Sequence, residues 1–225
     1  MGEQRRIIAI DGPAGSGKST TARLVAQKLG FTYLDTGALY RALTYLALKR
    51  QIQLHDAAAL AHLLSTSTFR IQSEADRVRV WVDDQEVTEA IRTPEVSGAV
   101  SQVASHEAVR EQMVRLQRSL AQKGDFVVEG RDIGTVVFPD ADLKIYLVAT
   151  IEERARRRLK ELKAKGHLVS LKKVEEDIKL RDKMDSERKT GPLRKAEDAI
   201  VVDTTRMTIE EQVNQIVELF KKKVL

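Results

Sequence analysis

The chain contains no cysteine, so disulfides and thiolate metal sites are excluded, and the composition suits a reducing compartment such as the cytoplasm. Aromatic residues make up only 4% of the 225 residues. Proteins that track single-stranded nucleic acid add stacking rings to positive charge. Here Phe220, beside the terminal lysines, is the one ring in or next to a basic run. A nucleic-acid partner is therefore not expected. No apolar run approaches the ~20 residues of a membrane span, and no charged-then-apolar leader opens the chain, so no membrane role is expected. Asparagine occurs once, at Asn214. That removes the Asn-Lys-x-Asp signature of a guanine-specific switch.

What is present is a globular composition, with 42% hydrophobic and 32% charged residues and a net charge of +5. The charge is unevenly placed. Residues 153–195 hold 16 Lys plus Arg against 8 Asp plus Glu, a local net of +8, and the remainder carries 22 against 25, a net of −3. The chain reads as a slightly acidic body with one basic segment, suited to an anionic partner.

Short apolar runs lie at Arg6–Ile10, Phe31–Leu34, Asp125–Val128, Leu143–Val148 and Ala199–Val202, with helical patterns between them. Strands alternating with helices predict an α/β fold whose parallel five-stranded sheet is covered on both faces. Thr68 to Thr88 breaks this rhythm with a period of two and predicts a small antiparallel insert. The insert is either a decoration or a substrate clamp. Thr93-Pro94 predicts a helix start, with Thr as cap and Pro in the first turn.

Gly12, Pro13, Ala14, Gly15, Ser16, Gly17, Lys18 and Ser19 match the Walker A pattern, between a predicted strand and a predicted helix, with Thr20 next. Glycines let backbone N–H groups cradle phosphate oxygens, the lysine reaches the outer phosphates, and the Ser19 hydroxyl suits Mg²⁺. Such a loop gives a nucleotide but not yet a function. An acceptor must be gripped elsewhere. Thr36 is placed to cap the next helix and brings Arg41 one turn in, although Arg41 also reads as a solvated charge. Arg131 and Asp132 stand between Gly130 and Gly134, just past an apolar strand, where ligand crevices of parallel sheets form. In the basic segment the stripe Leu171, Val174, Ile178 continues at helical spacing onto Arg181, Asp185 and Arg188. Inward charges of this kind require a partner, such as a bound phosphate. The alternative is a rotated helix with Leu180 and Met184 inward. Of Arg154, Arg156, Arg157 and Arg158, one or two can reach a nucleotide, and Arg157 is the candidate taken.

Four motifs together resemble those of bacterial cytidylate kinases. They are Gly12 to Ser19, Leu34 to Arg41, Glu129 to Pro139, and Arg181-Asp182-x-x-Asp185-x-x-Arg188. The insert near 68–92 is similar to that family's monophosphate-binding module. The resemblance implies a P-loop NTPase three-layer fold. It divides into a core (1–35, 99–152, 191–225), a monophosphate-binding module (36–98) and a helical lid (153–190). It further implies transfer from ATP with Mg²⁺ to CMP and dCMP by a monomer. By position, Arg41, Arg131 and Arg188 would grip the acceptor phosphate. Ser101, Arg110 and Asp132 would read cytosine, and Arg181 and Asp185 would contact the sugar. Thr36 stands where the family more often has Ser. Read alone, Ser101 is an ordinary helical serine and Arg110 a surface charge. Three other readings remain at this stage: a P-loop kinase with another acceptor such as UMP, a nucleic-acid-binding ATPase, or an inert nucleotide sensor, against which the intact Lys18, Arg131, Asp132 and Arg188 speak.

Overall fold

The computed structural model describes residues 5–74, 77–164 and 166–224. Ala75 and Asp76 of the insert, Lys165 of the basic segment, and residues 1–4 and 225 lie outside them. The sheet is built from β1 (Ile7–Asp11), β2 (Thr32–Asp35), β6 (Phe126–Gly130), β7 (Leu143–Val148) and β8 (Ile200–Asp203). Its order is β2-β6-β1-β7-β8 and every pairing is parallel. All five strands fall on the predicted apolar runs, within two residues at each end.

Alternation along β1 splits the interior. Ile8 and Ile10 point into a cluster shared with Val25, Leu39, Leu43 and Val213, whereas Ile7 and Ala9 point into one with Leu34, Phe126, Val128 and Phe138. Burying each large side chain of this kind contributes about 1.5–3 kcal/mol. Helices α1 (Lys18–Leu29) and α8 (Ile209–Val224) pack together, while α2 (Thr36–Lys49) leads into α3 (Ala57–Thr66).

The insert is a three-stranded antiparallel sheet, β3 (Phe69–Ser73), β4 (Val78–Val82) and β5 (Gln85–Glu86). Val78, Val80 and Val82 join the main core, and Arg70 lies over the Trp81 ring on the other face. No candidate site residue lies on it. A 3₁₀ turn at Ala90–Arg92 precedes α4 (Pro94–Val103). There the Thr93 side chain accepts from the Val96 amide, as the cap pattern predicted. Then come α5 (Glu107–Leu120), α6 (Ile151–Ala164) and α7 (Leu171–Glu187). Helices α6 and α7 pack on each other around Ala155, Val174 and Ile178, a cluster separate from the two beside the sheet.

Candidate active site

Parallel strands deliver their carboxyl ends to one edge of the sheet. Asp11, Asp35 and Glu129 all sit there, with Asp11 opposite Gly130 and Asp35 opposite Glu129 in register. The loop after β1 needs glycine at Gly15 (φ +75°) and Gly17 (φ +94°), left-handed conformations that a side chain strains. Gly17 then caps α1. Lys18 is buried, and its ammonium donates to the Pro13 carbonyl at 2.7 Å. Burial first, and Arg131 second, push its pKa well below the usual lysine range.

Three carboxylates that sequence reasoning did not single out line this edge of the sheet. Asp11 is buried and accepts from the amides of Ile133 and Gly134, both at 2.8 Å. Burial nevertheless pushes its pKa up to about 6. Those amides begin a π-helical turn, Ile133–Val137, which sets the direction of the preceding Arg131-Asp132 pair. Glu129 accepts from the Tyr33 hydroxyl, and burial, then Asp35, raises its pKa. Asp35 accepts from the Ala38 amide at 2.9 Å and pairs with Arg41 at 2.8 Å.

This last contact corrects the expectation for Thr36. The cap of α2 is Asp35, one residue earlier, and the Thr36 hydroxyl donates to the Glu129 carbonyl at 2.7 Å. Its oxygen thereby ties α2 to β6 instead of closing the helix end.

The basic stripe follows its predicted period in its middle but not at its two ends. Val174, Ile178 and Asp185 are buried, while Leu180 and Met184 are 61% and 37% exposed, which rules out the rotated helix. Leu171 is itself largely exposed, at 37%. Asp185 is a hub. It accepts from Ser101 at 3.0 Å and from Arg131 Nε at 2.9 Å. Burial opposes its ionisation, but Arg131 and Arg181 outweigh it and hold the carboxyl below the usual range. Arg188 lies at the C-cap of α7, not within it, and turns back so that its Nε donates to the Gly191 carbonyl at 2.6 Å. There it approaches Asp132 to 3.5 Å.

Asp132 also pairs with Arg110, and both are nearly fully buried, at 4% and 2% exposure. Arg110 is thus no surface charge; its guanidinium lies over the Tyr40 ring. Gly191 (φ +57°) passes so close that a Cβ there would collide with both members of the pair.

The crevice so formed is short of partners for its cations. The Nε atoms of Arg41, Arg110 and Arg181 are buried with no hydrogen-bond partner. Among the described residues Arg181 makes no ion pair, and burial, then Arg131, lowers its pKa to about 10. On the far side of the loop, Arg157 donates to the carbonyls of Ser16 and Thr204, which sets it beside the Walker residues. Arg156 is exposed, and Arg158 pairs with Glu161. Ser19 and Thr20 are exposed at the loop's end. Among the described residues no cluster of three or more acidic or histidine side chains could hold a metal ion. No described helix is long and apolar enough to cross a membrane.

Comparison with known proteins agrees with this geometry. A family model described as Cytidylate kinase matches residues 8–222. The chain is 51% identical to a cytidylate kinase of Bacillus velezensis, over 98% of this chain and 99% of the relative. It is 49% identical to one of Bacillus subtilis, again over 98% and 99%. A solved gluconokinase from Sinorhizobium meliloti superposes with a TM-score of 0.51 at 13% identity, over 97% of this chain and 94% of that one, a likeness of fold alone. With the family model spanning nearly all of the chain and about half its residues shared with these relatives, the chain belongs to the cytidylate kinase family and is a nucleoside monophosphate kinase.

Proposed function

We propose that the chain transfers the γ-phosphoryl group of ATP, with Mg²⁺, to CMP and dCMP, giving CDP and dCDP. The observation that carries this reading is one crevice holding a phosphate loop at one end and, at the other, buried guanidiniums whose Nε atoms lack partners. Phosphoryl transfer asks little covalent chemistry of a protein. It asks for two anions to be brought into line and for their charge to be neutralised.

The residues fit these groups. Backbone amides of Gly15 and of Gly17 to Thr20 and the Lys18 ammonium would hold the donor phosphates, with Arg157 beside them. Mg·ATP, when bound, supplies the phosphoryl group and neutralises part of its charge. Ser19, exposed at the loop's end, is the side chain offered to the metal. Nucleotide and water oxygens would supply its other ligands. Arg41, Arg131 and Arg188 would hold the acceptor phosphate in the productive line. Asp132 would accept from the cytosine amino group while Arg110 and Ser101 meet the rest of the base edge. Arg181 and Asp185 would meet the sugar hydroxyls, and Thr36 would fix the floor of the subsite through β6. Lys18, Arg131 and Arg188 would carry most of the charge stabilisation, and no side chain forms a covalent intermediate.

In this reading residues 36–98 act as the monophosphate-binding module and residues 153–190 as a lid over ATP. The chain acts as a cytoplasmic monomer on small molecules. The lack of stacking rings along the basic segment weighs against nucleic acid. The family relationship disfavours another acceptor class. A panel of nucleoside monophosphates and small metabolites offered with Mg·ATP tests the proposal. CMP and dCMP should be the preferred acceptors. A preference for UMP, AMP or a non-nucleotide would overturn it.

A further inference from the structure

The donor end of the crevice and helix α7 meet at a carboxylate to which no role has yet been given. Asp182 Oδ1 accepts from the Ala14 amide of the phosphate loop at 3.1 Å. Its other oxygen takes Arg154 NH1 at 2.5 Å. The same NH1 donates to the Ala14 carbonyl at 3.0 Å, and Arg154 Nε to the Ala149 carbonyl at 3.1 Å. Ala14 is therefore held at both its N–H and its C=O, one from α7 and the other from α6. Arg154 is buried, at 8% exposure, and the Asp182 carboxylate compensates its charge there. The loop has no slack here, since a Cβ on Gly15 would meet the Arg154 carbonyl oxygen at 3.0 Å.

Helices α6 and α7 have their own apolar cluster, apart from those beside the sheet. The placement of α7 draws on polar contacts at two points. Asp185 engages Ser101 and Arg131 at the acceptor end, and Asp182, three residues earlier, engages Ala14 at the donor end. Residues three apart share a helix face, so one face of α7 touches both halves of the crevice.

We propose that Asp182 is a positioning residue for the donor phosphates, tying α7 to the phosphate loop so that the lid's placement and the loop's shape are set together. The inference rests on the kinase reading above for the identity of the donor. Its first readout requires no activity.

Hydrogen–deuterium exchange of the ligand-free chain, wild type against Asp182→Ala and Asp182→Asn, tests it, with calorimetric affinities for ADP alone and CMP alone. In Asp182→Ala the Ala14 segment and α7 should exchange faster. ADP affinity should fall about 10- to 100-fold, the weight of a charge-assisted hydrogen bond. CMP affinity should stay within about twofold, the size of a minor change. Asn keeps an oxygen for the Ala14 amide but loses the ion pair with Arg154, so it should fall between the two. Should the alanine variant fail to fold, the asparagine variant carries the comparison. Unchanged exchange with unchanged ADP affinity would overturn the proposal. So would an equal loss of ADP and CMP affinity, which marks a general loosening of the lid. Failure of the wild type to phosphorylate CMP would count against the kinase reading and leave the exchange result standing.

Discussion

Replacing Asp132 by Asn tests the proposal that this carboxylate reads the base. The carboxylate is 4% exposed, with Arg110 against one oxygen and Arg188 at 3.5 Å from the other. Solvent screens little at this depth, so the charge dominates what a base edge meets. Cytosine offers an amino group, which a carboxylate accepts; uracil offers a carbonyl, which it repels. An Asn amide can turn its NH₂ toward the uracil carbonyl, removing the penalty on UMP and part of the gain on CMP. A base contact of this kind carries about 1–3 kcal/mol of discrimination, so the CMP-over-UMP ratio of kcat/KM should drop roughly 5- to 150-fold. Alanine is the poorer probe. It strands two buried guanidiniums and should cost about 3–5 kcal/mol of stability, against less for Asn, which keeps an acceptor. A coupled ADP-release assay with each acceptor, alongside urea unfolding, separates the two effects. An unchanged ratio in a folded Asn variant would remove Asp132 from base reading.

Two further outcomes follow from the same geometry. Arg188→Ala should lose on the order of 2–4 kcal/mol of transition-state stabilisation, seen as a fall in kcat/KM with fold retained; near-normal turnover would place the Arg188 guanidinium away from the acceptor phosphate. Asp11 titrates at about 6 when folded against 3.8 otherwise, so its contribution to stability is greatest below the lower value and is lost as pH rises through the higher one. The shift corresponds to about 3 kcal/mol, and urea unfolding of wild type and Asp11→Asn from below pH 3.8 to above pH 6 should show the wild type losing ground by that amount as pH rises. A difference that stays flat with pH would contradict it.

The parts legible in the sequence were those written in local pattern. Five apolar runs became five parallel strands, the glycine spacing became the phosphate loop, and the stripe on α7 placed Val174, Ile178 and Asp185 inward. The parts that were not legible depend on partners far along the chain. Arg110 looks solvated until Asp132, 22 residues away, folds against it. Ala14 and Asp182 are 168 residues apart, and no spacing rule joins them. The cap of α2 was misjudged by one position because Asp35 and Thr36 both carry a competent oxygen. Only the nearness of the Glu129 carbonyl decides that threonine turns to β6.

The most direct test of the account is to follow both products of one reaction mixture. With Mg·ATP and CMP, ADP and CDP should appear in equal amounts, and dCMP should likewise give dCDP. ADP released without CDP, or phosphate released in its place, would contradict the claim that the crevice joins donor and acceptor for direct transfer.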